Sequence, residues 1–130
     1  MNLTDDRARA LLLPVRDLLT TWILAAPDPQ ERTDRFLRLY KDIISAYRLG
    51  QLLTEATGTV ILAGQRPPDL TYISSFLLAG GPRWRLRAVL FYLVVPALAE
   101  AGYRAPGDHT QLPEPDDEPE PAQATHPAGN

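Results

Sequence analysis

Cysteine is absent from the chain, so disulfide frameworks, thiolate zinc sites and thiol nucleophiles are excluded and nothing points to an oxidising compartment. The cytoplasm is the expected location. The opening stretch "MNLTDDRARALLLPV" places two acids before its first arginines and lacks the basic region, apolar run and cleavage site of a signal peptide, so none is expected. Histidine is scarce, and both copies, His109 and His126, fall near the C-terminal end. No segment alternates with period two, so the one strand-like stretch, "GTVILAG" from Gly58 to Gly64, has no ladder partner. It is expected to be the end of a helix or a buried connector.

Basic charge is missing from the last part of the chain. Residues 1–104 hold all 13 Arg and Lys against 10 of the 16 acids, a net of +3, whereas residues 105–130 hold 6 acids and no base. That segment also has six prolines, no aromatic residue, and Leu112 as its one large aliphatic side chain. It cannot bury enough apolar surface to offset the entropy of ordering. The expected organisation is therefore a helical domain over 1–104 and a disordered, acidic, Pro-rich tail over 105–130. Such a tail either solubilises the chain or acts as an acidic arm that engages a basic partner or competes with nucleic acid for the basic body.

What the body does contain is helical periodicity. Leu11, Val15, Leu18, Leu19, Trp22 and Ile23 recur at three and four residue spacing with Arg16, Asp17, Thr20 and Thr21 opposite, which predicts an amphipathic helix kinked or begun at Pro14. Asp28, Pro29 and Glu31 form a strong helix start. The stripe Phe36, Tyr40, Ile43, Ile44 and Tyr47 follows, with Glu31–Arg35, Asp34–Arg38 and Arg38–Asp42 as charge pairs four apart. Leu49, Leu52, Leu53 and Ala56 point the other way, so either Gly50 ends the helix in a left-handed cap and a second short helix begins at Gln51, or one helix, continuous or gently kinked through Gly50, is sandwiched between neighbours; the continuous form is expected, because nothing around Gly50 resembles a loop. "DLTYISSFLLA" reads as a short helix capped by Asp69, and "GGP" breaks the chain before a last helix that opens with Pro82.

That last helix holds no charge from Ala88 to Ala99. A membrane span needs about 20 apolar residues, and this run is bounded by Arg87 and Glu100 and interrupted by Pro96. Membrane insertion is accordingly not expected. A helix apolar on every side belongs at the centre of a globular core. The predicted fold is all-α: a compact bundle of about four to five helices around a buried C-terminal helix.

Few residues suggest chemistry. A histidine in a disordered tail cannot hold the geometry of a general base or a metal ligand. Ser45, Ser74 and Ser75 have no glycine elbow and read as packing or capping residues, and Asp42 and Glu55 are too far apart on one straight helix to work as a pair. No enzyme activity, cofactor or metal is expected. The densest polar cluster is "RWRLR", where Arg83, Arg85 and Arg87 stand at a helix start against the macrodipole. With Arg66 and Arg104 they form a candidate patch for phosphate or for a partner's carboxylates. Trp22, Tyr72 and Tyr92 are candidate interface anchors. The chain is thus expected to be a non-catalytic helical interaction module, an adaptor or small subunit that binds another protein or itself. A small nucleic-acid-associated subunit using the arginines on phosphate backbone is the alternative.

Overall fold

The computed structural model describes residues 5–70 and 84–113. Among these residues the chain is all-helical: α1 (Asp5–Leu24), α2 (Pro29–Asp42), α3 (Ala46–Leu62) and α4 (Trp84–Glu100), followed by a single 3-10 turn at Gly107–His109. The short helix expected from Asp69 and the "GGP" break lie outside the described residues, apart from Asp69 and Leu70.

The amphipathic pattern of α1 survives intact, with Leu12, Val15, Leu18, Leu19, Trp22 and Ile23 all buried. Pro14 does not mark its start, because the helix runs from Asp5 straight through it. A proline deprives the carbonyl four residues earlier of its donor. That residue is Ala10, which is exposed, so water can take the freed carbonyl. The same holds in α4, where Pro96 and Tyr92 are both exposed and the helix continues to Glu100. Each proline is tolerated because the residue whose carbonyl it frees is exposed.

α2 begins as its residues dictate: Asp28 is extended, its side chain accepts from the Glu31 amide at 2.8 Å, and Pro29 fills the first turn. It ends sooner than a continuous helix through Gly50 would require. The break falls at residues 43–45, where Ser45 adopts an extended conformation and its Oγ accepts from the Arg48 amide at 3.3 Å, capping α3. Gly50 lies inside α3. This turn removes the conflict of a helix apolar on both sides, because Phe36, Leu39 and Ile43 now face the core from one axis and Leu49, Leu52, Leu53, Ala56 and Val60 from another.

"GTVILAG" is the end of α3. Gly64 takes a positive φ of 82°, and the amides of Gly64 and Gln65 donate to the carbonyls of Ile61 and Val60, both at 2.9 Å. α4 closes in the same way: Gly102 has φ 98°, and the amides of Gly102 and Tyr103 return to Ala99 and Leu98 at 3.0 and 2.8 Å. These are Schellman caps, which glycine favours because only it enters the left-handed region without steric cost.

The four helices share one hydrophobic core, with α1 packed most extensively on α4. α4 contributes Leu86, Leu90, Phe91, Leu93, Val94 and Leu98 to it. It is not buried on every side, since Tyr92, Pro96, Ala99 and Glu100 are exposed. None of the described helices is long and apolar enough to cross a membrane. α4 runs antiparallel to α2: Arg87 meets Ile43, Phe91 meets Tyr40 and Phe36, and Tyr103 meets Phe36 and Thr33.

The chain beyond Arg104 does not leave the body at once. Ala105 and Leu112 pack against the core, and residues 105–113 run along the α2–α4 edge. Their few apolar and ring side chains suffice because the helices supply the rest of the contact surface.

Candidate interaction surface

The arginines suggest a surface by sequence, but the fold draws two of the chain's arginines inward. Arg87 is fully buried, and its Nη1 donates to the Ile43 carbonyl at 2.9 Å. Ile43 caps the C-terminal end of α2, where orphan carbonyls and the negative end of the macrodipole favour a cation. Arg35 does the same for α1: its Nη1 donates to the Trp22 carbonyl at 2.7 Å while the guanidinium lies 5.5 Å above the Trp22 ring. Arg87 is therefore a structural group and not part of an external anion patch.

The other candidates are placed as follows. Arg66 is exposed in the connection after α3, and Arg104 is exposed after α4. Arg83 and Tyr72 lie outside the described residues, as does the side chain of Arg85. Trp22 is 1% exposed, so it anchors the chain's own core and presents nothing to a partner. Its position between Leu18, Leu19 and Ile23 on the α1 stripe is the reason. Tyr92 is 45% exposed.

A third arginine ties two helices together. Arg38 reaches Asp42 through Nε at 3.3 Å and Glu55 of α3 through Nη1 at 2.6 Å. The hydrogen bond to Glu55 holds the guanidinium above its ordinary pKa, with the attraction of Glu55 and Asp42 adding to it. The break at Ser45 is what brings Asp42 and Glu55 to a common guanidinium, which a straight helix could not do. Asp34 turns instead to the Gln30 amide at 3.0 Å. Both carboxylates on Arg38 are occupied as ion-pair acceptors, an arrangement that clamps helices and offers no proton donor.

The surface that sequence reasoning missed lies along α2 and α4. Phe36, Tyr40, Phe91, Tyr92 and Tyr103 form a connected set of rings, with centroids 6.1 Å apart for Phe36–Phe91, 5.8 Å for Phe36–Tyr103, 5.9 Å for Tyr40–Phe91 and 5.5 Å for Phe91–Tyr92. His109 joins it, its ring 4.6 Å from Tyr40 in an edge-to-face contact at 85°. Asp108 Oδ1 is 2.9 Å from His109 Nδ1, without the alignment of a hydrogen bond. The Tyr40 hydroxyl donates to the Gln111 carbonyl at 3.3 Å, and the Leu112 amide donates to the Tyr92 hydroxyl at 3.0 Å. His109, expected in a disordered tail, is thus held half-buried on the body. The signal for this was present in the isolated Leu112 at the end of "GDHTQL", a lone apolar residue with no use in a purely solvated tail.

The chain matches no protein-family model, no curated protein and no solved structure. What it can do must be read from its own geometry. Among the described residues no group of three or more His, Asp or Glu side chains could hold a metal ion. A cleft of about 110 Å³ lies between α1 and the connection after α3, lined by Asp17, Thr21, Val60, Arg66, Pro68 and neighbours. Small-molecule sites usually span about 300–1,000 Å³. Large apolar side chains also reach solvent: Ile61 is 53% exposed, Leu62 90% and Tyr47 69%.

Proposed function

We propose that the chain is a non-catalytic helical module that acts by binding another protein, as an adaptor or a small subunit of an assembly. The observation that carries this reading is the exposure of adjacent Ile61 and Leu62, at 53% and 90%, on the last turn of α3. Fully burying such a side chain is worth about 1.5–3 kcal/mol, so the pair is a ready source of association energy. In contrast, Arg35, Arg38, Arg87 and Ser45 are engaged in closing and joining helices. Nothing in the described geometry favours the nucleic-acid alternative over this reading. It keeps the exposed Arg66 and Arg104 but loses Arg87 to the core.

The test is light scattering of the purified chain, with mass spectrometry of what remains bound after purification from its native host. The unaltered chain should self-associate or retain a companion, and Leu62→Glu should release it without lowering the melting temperature. A chain that stays monomeric and unaccompanied at every concentration, with or without the substitution, would defeat this reading.

A further inference from the structure

The chain's C-terminal segment lies on the ring-lined edge of α2 and α4 in the manner of a bound peptide. We infer that this edge is a peptide-binding groove whose resident occupant is residues 105–112, and that the partner it fits is a protein segment with a ring followed three residues later by leucine, presented through a single 3-10 turn. This rests on the reading of the chain as an interaction module, but it concerns a different surface from Leu62.

The groove recognises its occupant in two ways. Two tyrosine hydroxyls read main chain, Tyr40 donating to the Gln111 carbonyl and Tyr92 accepting from the Leu112 amide. Main-chain contacts give affinity with little regard to side-chain identity, while pockets for particular side chains give selectivity. Selectivity comes from the His109 ring, edge-on to Tyr40, and from Leu112, which packs half-buried against the core. The hold is light, because both hydrogen bonds lie at exposed positions and the segment has one 3-10 turn as its only regular structure. Release costs α4 nothing: its cap is completed by Gly102 and Tyr103, upstream of the segment. Pro106 and Gly107 then separate that anchor from His109. A tethered occupant of this kind lowers a partner's apparent affinity by the fraction of time that the groove is free.

The experiment titrates isotope-labelled full-length chain with a synthetic peptide of residues 104–113, RAPGDHTQLP, and follows amide shifts by NMR. In a chain carrying His109→Ala and Leu112→Ala the amides around Tyr40 and Tyr92 should reach half-saturation at about tenfold lower peptide than in the unaltered chain, because the internal competitor has lost its ring and leucine. Adding Tyr92→Phe should raise that concentration by about threefold. Equal half-saturation in the two chains, or shifts no larger than those from a peptide with both positions changed to alanine, overturns the inference. A mass that rises with chain concentration and falls on adding peptide would make the occupant a second copy, and would overturn the assignment to a different protein. If the doubly substituted chain melts early, Leu112→Ala alone carries the same outcomes. The Leu62 experiment reads a separate surface, so either proposal can fail while the other stands.

Discussion

Replacing Arg87 with alanine should be among the most damaging single changes in the chain. The side chain is wholly buried and its guanidinium closes the Ile43 carbonyl at 2.9 Å. A hydrogen bond from a charged donor contributes about 1.5–3 kcal/mol, and removing it leaves the Ile43 carbonyl to find another donor. Alanine also leaves the volume of the aliphatic stem empty, which a packed core repairs only in part. The expected loss is about 3–5 kcal/mol, a large share of the 5–15 kcal/mol or so that holds a domain of this size. Arg87→Met restores most of the stem and forfeits the guanidinium, so it should lose less than alanine. Urea unfolding followed by far-UV circular dichroism measures this directly. The midpoint should fall while the slope stays constant, since the surface exposed on unfolding is nearly unchanged. Melting should drop by roughly 10–20 °C for the alanine variant. Arg66→Ala, at an exposed position, is the control and should stay within about 0.5 kcal/mol of the parent. A loss below about 1 kcal/mol for Arg87→Ala, indistinguishable from the Arg66 control, would refute the assignment of Arg87 to the core.

Three further outcomes follow from the described contacts. Ser45→Ala should cost about 1 kcal/mol in urea unfolding, because it removes the acceptor for the Arg48 amide at the start of α3, while Ser45→Asp should recover most of the loss. Gly58→Ala should stabilise by about 0.5–1 kcal/mol, since the site is helical and an added methyl meets nothing within 4 Å, whereas Gly64→Ala should destabilise by about 1 kcal/mol because its φ is 82°. A double-mutant cycle on Arg38 and Glu55 should give a coupling of about 0.3–1 kcal/mol that shrinks with added salt, as both side chains are partly exposed. Because the pKa of Arg38 is raised, its share is lost at the alkaline end only as pH climbs through the folded value, so the coupling should not change on its account between neutral and mildly alkaline pH.

Local signals travelled well from residues to structure. The stripe of α1 and the Asp28–Pro29 start of α2 each depend on groups a few positions apart, so the order of residues states them directly. The break at Ser45 was also local, but its capping serine was masked by apolar residues running through it on both sides. Pro14 was misleading for the opposite reason: its penalty depends on whether the carbonyl of Ala10 faces water, which is a property of the packed molecule.

Residue order alone therefore determined the all-helical character of the described residues, most of the faces that turn inward, and a C-terminal segment free of basic charge. Only tertiary structure decided what the polar side chains are for. Arg87 and Trp22 looked like surface binding groups until their partners were known, and the acceptor for Arg87 lies 44 residues away in the chain. His109 and Leu112 became part of the body because α2, α4 and Tyr103 just beyond α4 together present five rings that neither helix nor tail could assemble alone. Periodicity can say that a side chain faces inward, but burial energy and hydrogen-bond satisfaction depend on what stands opposite, and that is set by how distant helices meet.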